Sequence, residues 1–522
     1  MAELSEEEKG FQSGEYEYDE FGYTRTQPSD FRVGIPDQLR PSAWIVVLTE
    51  LCERFTYYGA SVMFTTYMRT KLNVAKAKSV SINRGFTFLA YATTLLGGYL
   101  SDQYLGKYKT ITIFGIWYFI GTILLTISAL PSFAVGTRLA LFIVSTYLFI
   151  AFGTGGIKAN VSTFVAEQVR IGYKPTKDPG VYYDSRSTTE RCYRYFYWAI
   201  NVGAFVGMLV CPTVADDEGY QYSFLIPACL MALCLIVFIP SYKFYINKKP
   251  SGSIFGKVIR TMKYAKHHKS SSNAHWLDAA KGLKNAEWDD YFVDGLKRSI
   301  KACKVFLFYP FYWALYNNMS DNFINQGMQM RRPKWLQSSQ LNVINSLALV
   351  VFIPVFDSLV FPTLARHNIY LGPIKRITIG FAIVVVFFIY VTVLQKLVYN
   401  SPPFYDFTGP DVTAESFNDI SVWLQVPAYL GVGISEIFAS VTGLEYAFSQ
   451  APTELKSMLQ ALFLFTNAGG SLIGLILSIW SYDPAVLYQF AAQTVLLAIV
   501  AVIFWFCFRH YDAEVRAQQT YE

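Results

Sequence analysis

Charge is what this chain has least of. Asp, Glu, Lys and Arg make up only 16% of its 522 residues, where soluble domains carry about 25%. So much uncharged surface must face something other than water. The formal net charge is +6, with basic residues scattered between apolar runs rather than gathered in a stripe. Nucleic-acid binding is therefore unsupported. Cysteine is sparse and unpatterned: Cys52, Cys192, Cys211, Cys229, Cys234, Cys303 and Cys507 are odd in number and lack short regular spacing. They imply neither a disulfide framework nor a zinc site and read as small buried hydrophobes. No phosphate-cradling loop is present, so no motif supports ATP-driven chemistry. The opening residues lack the basic start and short apolar core of a cleavable signal. Residues 1–42, polar and acidic-aromatic with Glu6, Glu7, Glu8, Tyr16, Tyr18 and Asp19, read as a flexible cytosolic tail.

What the chain has is apolar length. It is 53% hydrophobic and 17% aromatic, with long runs at 110–130, 139–153, 222–239, 377–394 and 486–508. About 20 apolar residues let a helix cross a bilayer core. Run length and punctuation predict about twelve spans: 43–70, 82–102, 108–130, 137–165, 194–214, 222–243, 302–330, 338–363, 374–396, 419–447, 454–480 and 485–509. Lys and Arg orient them. The loops that follow even-numbered spans carry Lys107, Lys109, Arg366 and Arg376, and the tail begins at Arg509. The opposite loops carry Asp216, Asp217, Glu218, Asp406, Asp411 and Glu415, although Arg69–Arg84 and Arg331–Lys334 break the pattern. Both termini are thereby expected in the cytosol. The expected organisation is an all-α membrane protein with two six-helix bundles (43–243 and 302–509), a cytosolic linker (244–301) and a cytosolic tail (510–522). One interfacial helix is expected at Trp276–Trp288. Two halves joined in this way suggest a major-facilitator-like architecture with a site near the midplane. His267, His268 and His275 in the linker read as a solvated basic loop rather than a metal site.

Ionisable residues inside spans are costly and face cavities or partners. The first span holds Glu50, Glu53 and Arg54, which share a helical face with Tyr57. The fourth holds Lys158 behind Gly153, Gly155 and Gly156, and the tenth holds Glu436. Counted from the cytosolic span ends, Glu53 lies about 15 Å and Lys158 about 12 Å deep, so the two can meet at one level. Glycines permit the helices to approach closely there. Two acids and two bases on this helix pair could form a permanent ion pair or exchange partners. Glu436 lies about 21 Å deep with no nearby base in sequence.

Glu50, Glu53, Arg54, Phe55, Tyr57, Tyr58 and Gly59 stand in the pattern Glu-x-x-Glu-Arg-Phe-x-Tyr-Tyr-Gly, which resembles the first-helix motif of the proton-coupled oligopeptide transporter family. The stretches 153–162 and 193–205 resemble its fourth- and fifth-helix signatures. Ser435 and Glu436, followed by 443–452, resemble its tenth-helix motif in the form typical of the fungal branch. The likeness runs in order from about residue 36 to 510. It implies a major-facilitator fold, alternating access, uptake of di- and tripeptides at the plasma membrane, and protons as coupling ion with no other cofactor. Small peptides and the lipid bilayer would be its partners, with a monomer as the default state and no enzymatic activity. By resemblance, Glu50, Glu53, Arg54 and Lys158 couple protonation to binding of the peptide carboxylate. Tyr57, Tyr58 and Tyr91 would line the pocket, and Asn201, Asn345 and Glu436 would receive the amino end. Three departures stand out. Ser61 occupies a position where some bacterial members have arginine. The seventh span reads Tyr312, Trp313, Ala314, Leu315, Tyr316, Asn317, Asn318, without the acid many members carry there, although Asp321 is near. Arg84 replaces the histidine of animal members, and no histidine falls in a span, so coupling would use carboxylates.

Overall fold

The computed structural model describes residues 18–248, 250, 254–268, 275–283, 286–360, 363, 367, 371–450 and 455–513. The expected tail through residue 17, Arg366, the motif residues Ala451 and Pro452, and the tail from residue 514 lie outside the described residues. Without water in a bilayer core, a helix keeps every amide of an apolar segment bonded within itself, and the described chain is accordingly almost all helix.

The strand β1 (Val33–Ile35) leads into α1 (Pro41–Ser61), α2 (Phe64–Thr70), α3 (Lys76–Leu100), α4 (Lys107–Ser128) and α5 (Val135–Glu167). After β2 (Tyr173–Pro175) and β3 (Val181–Asp184) come α6 (Ser185–Asp217) and α7 (Tyr220–Phe238). Two further helices follow, α8 (Ile254–His267) and α9 (Asp290–Phe306). The rest comprises α10 (Tyr309–Tyr316), α11 (Asn322–Met328), β4 (Met330–Arg331), α12 (Val343–Val355), α13 (Pro373–Asn400), β5 (Asn418–Ser421), α14 (Val422–Ala447), α15 (Lys456–Leu477) and α16 (Val486–Phe508). Buried apolar side chains form two clusters, one drawn from residues 43–245 with Val343, the other from 258–511.

Nine helices among the described residues are long and apolar enough to cross a membrane. The segments expected as first, second and seventh spans are helical but not among these nine. The first is interrupted at Val62 and Met63, between α1 and α2. The second, α3, contains Lys76, Lys78 and Arg84. The seventh is divided into α9, α10, a 3-10 turn at Asn317–Ser320 and α11. Pro310 in the first turn of α10 has no N–H with which to continue α9, and Asp321 caps α11 by accepting the Asn322 N–H at 2.5 Å.

Two expectations for polar segments need correction. Residues 18–40 are not a loose tail: β1 pairs in parallel with β3, and Thr24 bridges Tyr173. Phe31 meets the Tyr173 ring edge-on at 5.3 Å, the Tyr182 hydroxyl donates to Asp30 at 2.6 Å, and the Asp37 N–H donates to Thr188 at 2.9 Å. Phe31, Asp30 and Asp37 are thus docking groups of this segment. The linker helix also lies elsewhere. Trp276–Ala280 is only a 3-10 turn, Gly282 follows with φ of 72°, and α8 and α9 flank them. Asp289 starts α9 by accepting the Phe292 N–H at 2.8 Å. Val258 and Ala265 of α8 and Phe292, Val293 and Leu296 of α9 pack into the second apolar cluster.

Glycine brings α3 and α5 into contact. A Cβ on Gly97 would come 2.6 Å from the Gly156 Cα, and one on Gly155 would come 1.9 Å from the Thr93 hydroxyl. That approach sets the position of Lys158, half a turn beyond Gly156. Gly97→Ala is expected to lower stability in detergent by about 1–3 kcal/mol, the usual cost of overpacking. Gly98→Ala should melt like the unsubstituted protein, because its Cβ would meet only the Ala159 Cβ at 4.0 Å. Equal melting temperatures for the two variants would refute this account of the contact.

Candidate functional site

A central cavity of about 210 Å³ lies where the halves meet. Tyr57, Tyr58, Tyr91 and Asn201 line it from the first half, and Asn345 and Glu436 from the second. These are six of the residues the sequence singled out as a binding site. Glu436 Oε2 accepts from the Tyr316 hydroxyl at 3.0 Å and from Asn345 Nδ2 at 3.1 Å. No cation among the described residues pairs with it, and Asn345 Oδ1 is buried without a hydrogen-bond partner. The cavity wall therefore offers a carboxylate and a carbonyl-type acceptor side by side, a match for an ammonium group. Asn201 faces the cavity from α6 but donates to the Tyr197 carbonyl at 2.8 Å, apart from the Glu436 group.

Glu50, Glu53, Arg54 and Lys158 lie behind this wall rather than on it. Arg54 engages both acids: its Nε is 3.1 Å from Glu50 Oε1, and its Nη2 pairs with Glu53 Oε2. Spacing explains the first contact, since residues four apart share a helix face. Thr154 of α5, four residues before Lys158, donates to Glu53 Oε1 at 2.8 Å. The expected meeting of Lys158 with the acids is not seen. Lys158 pairs with neither acid; its ammonium lies 3.9 Å from the Tyr57 ring centre and 4.6 Å from that of Tyr91, buried and without a hydrogen-bond partner.

Two contacts that sequence reasoning missed close the bundle at the end remote from its termini. The Arg84 guanidinium of α3 meets the Asp321 carboxylate at 2.5 Å (Nε to Oδ2) and 3.1 Å (Nη2 to Oδ1). Both side chains are essentially inaccessible, at 1% and 0% exposure, and the pair joins the two halves. Gly474 makes room, for a Cβ there would sit 3.0 Å from the guanidinium carbon. Counting Arg84 as a loop charge concealed this; the signal was a base and an acid falling inside two different expected spans, 82–102 and 302–330. Nearer the rim, Lys76 Nζ meets Asp483 Oδ1 at 2.6 Å. Asp483 also accepts from Tyr399 at 2.5 Å and from Gln329 at 2.9 Å. Burial alone would raise this loop carboxyl's pKa, but Lys76 and the two donors outweigh it and hold the group below the usual value of 3.8. A depressed carboxylate stays charged above that value and loses its charge only as pH falls below, so Asp483 does not protonate near neutrality. Asn317 lines the cavity and donates to Asn467 and Ser471, both at 3.0 Å.

Asp321→Asn leaves Arg84 buried without its counter-charge, a change that typically costs about 3–5 kcal/mol. It is expected to lower the melting temperature in detergent sharply, and the double replacement Arg84→Leu with Asp321→Leu should recover much of the loss. If the single and double variants melt alike, the pair is not what holds this end closed.

The profile of the POT family matches residues 108–489. A probable peptide transporter, ptr2, of Schizosaccharomyces pombe is 40% identical over 489 residues, covering 90% of this chain and 78% of its own length. The peptide transporter PTR2 of Saccharomyces cerevisiae is 34% identical over 488 residues, covering 90% and 79%. Among solved structures, the POT family transporter PepTSo superposes with a TM-score of 0.75 at 22% identity, covering 91% of this chain and 99% of that one. At that identity the superposition speaks for the fold. Together, the profile over most of the chain and the near-full-length relatives show that this protein belongs to the POT family, a membrane transporter and not an enzyme.

Proposed function

We propose that this protein takes up di- and tripeptides together with protons by alternating access, across the plasma membrane and with both termini in the cytosol. The observation that carries this reading is Glu436: a carboxylate on the cavity wall, hydrogen-bonded by Tyr316 and Asn345 but answered by no cation among the described residues. A buried carboxylate without a counter-charge is costly, and a peptide ammonium supplies one. On the opposite wall, the Lys158 ammonium lies against Tyr57 and Tyr91 of the cavity lining, and it takes the peptide carboxylate. Asn201 binds the peptide's amides, and Tyr58 lines its path. Proton coupling falls to Glu50 and Glu53, which share Arg54. A proton on either acid frees part of that guanidinium, and the released charge is what substrate binding and gate opening exchange. The closed end, with Arg84–Asp321 and Lys76–Asp483, is then the extracellular end, and the state described is closed to the outside.

Uptake of labelled dipeptide into proteoliposomes tests both parts. The unsubstituted protein should accumulate dipeptide under an imposed proton gradient, and N-acetylated dipeptides should compete poorly. In Glu436→Gln, free dipeptides should weaken by at least about tenfold, because breaking one side of a buried charge pair costs several kcal/mol. The gap between free and acetylated peptides should narrow with it. Normal uptake by Glu436→Gln, or an unchanged gap, refutes the ammonium assignment. For coupling, Glu53→Gln should abolish accumulation against a gradient yet retain peptide counterflow. Accumulation at the unsubstituted level would move the proton site elsewhere.

A further inference from the structure

Lys158 is the odd member of the charge cluster. The charges that face its ammonium are Arg54, Glu53 and Glu50, all on α1. Both acids are already engaged by Arg54, and Glu53 also accepts from Thr154. No carboxylate among the described residues is left to lie against Lys158, and no donor or acceptor replaces one. Two ring faces lie against it instead: Tyr57 of α1, with its centre at 3.9 Å, and Tyr91 of α3, at 4.6 Å. Both distances are well inside the range of about 6 Å at which a ring quadrupole attracts a cation. The Tyr57 ring is itself braced: it stacks on Phe86 at 6.0 Å with 26° between planes, and Tyr58 meets it edge-on at 5.2 Å. Tyr57 and Tyr91 line the cavity, whereas Lys158 does not.

We propose that Tyr57 and Tyr91 are positioning residues that cage the Lys158 ammonium by cation–π contact, keeping it unpaired behind the cavity wall for an incoming carboxylate. The proposal rests on the peptide-transport reading above and adds how the empty protein keeps this cation available. Without the rings, Lys158 would settle on Glu50 or Glu53, the acids nearest in its field, and the cation would be neutralised internally. Recognition of a carboxylate would then fall, and recognition of a neutral carboxamide would fall less.

The readout is the ratio of apparent KM for a dipeptide amide to that for the free dipeptide acid, measured by counterflow in proteoliposomes. In the unsubstituted protein the acid should bind more tightly. Tyr91→Leu should shrink the ratio by about tenfold, and Tyr91→Phe, which keeps a ring face, should hold it within about twofold. In case Tyr91→Leu does not fold, a stepwise fluorinated series of phenylalanines at position 91, introduced by nonsense suppression, drains the ring face of negative charge at nearly constant shape. The ratio should fall step by step along that series. A ratio indifferent to fluorination overturns the cage, as does a Tyr91→Leu protein that weakens acid and amide equally, or a Tyr91→Phe protein as impaired as Tyr91→Leu. If the unsubstituted protein moves neither acid nor amide, the peptide-transport reading itself has failed. If it moves both and the ratio ignores fluorination, that reading stands and the cage alone falls.

Discussion

An ion taken out of water costs several kcal/mol even after protein relaxation, so a charge inside a bilayer persists only where another charge, dipole or ring answers it. The arrangement of this protein's interior depends on how each buried charge is answered. Arg54 is answered twice, by Glu50 and Glu53. Arg84 is answered once and fully, by both oxygens of Asp321. Lys158 is answered by aromatic faces, and Glu436 by neutral donors alone. The first two are neutralised within the protein. The last two are held by weaker, uncharged partners, and they flank the cavity from opposite halves.

The fold was legible where apolar length alone decides it. The long runs at 110–130, 377–394 and 486–508 reappear as α4, α13 and α16 with boundaries a few residues away, because a bilayer leaves a continuous apolar segment no alternative to helix. Legibility stopped where backbone geometry is set by remote partners. The division of the seventh span depends on Pro310 and on a cap from Asp321, whose carboxylate is at the same time held by Arg84 more than two hundred positions earlier. The docking of residues 18–40 depends on β3 and Tyr173, well over a hundred positions away. Neither has a local period to betray it.

The binding wall shows the same division. Tyr57 shares a helix face with Glu50, Glu53 and Arg54 by spacing, and that face was readable. Depth counting placed Glu53 and Lys158 at one level, and Thr154 of α5 does reach Glu53. Yet equal depth does not choose partners. Arg54 sits on the same helix as both acids and reaches them without crossing a helix interface, so it takes them first, and Lys158 turns to the rings. Sequence identifies which charges must find partners; the competition between an intrahelical and an interhelical base decides which partners they find.

In the seventh segment the acid stands off the cavity, in the contact between the halves. Asn317 faces the cavity as a neutral amide tied to Asn467 and Ser471, and the acid of this segment, Asp321, lies four residues further along. The 3-10 turn at Asn317–Ser320 separates the two, and Asp321 lies off the cavity lining in the contact between halves. There its partner is a guanidinium, which stays charged at any physiological pH and binds both carboxylate oxygens in a fixed fork. The rim pair of Lys76 and Asp483 closes the same end, with its carboxyl held below the usual range. The far end of the bundle is thus closed by paired charges, and deeper in the protein Glu50 and Glu53 share one arginine.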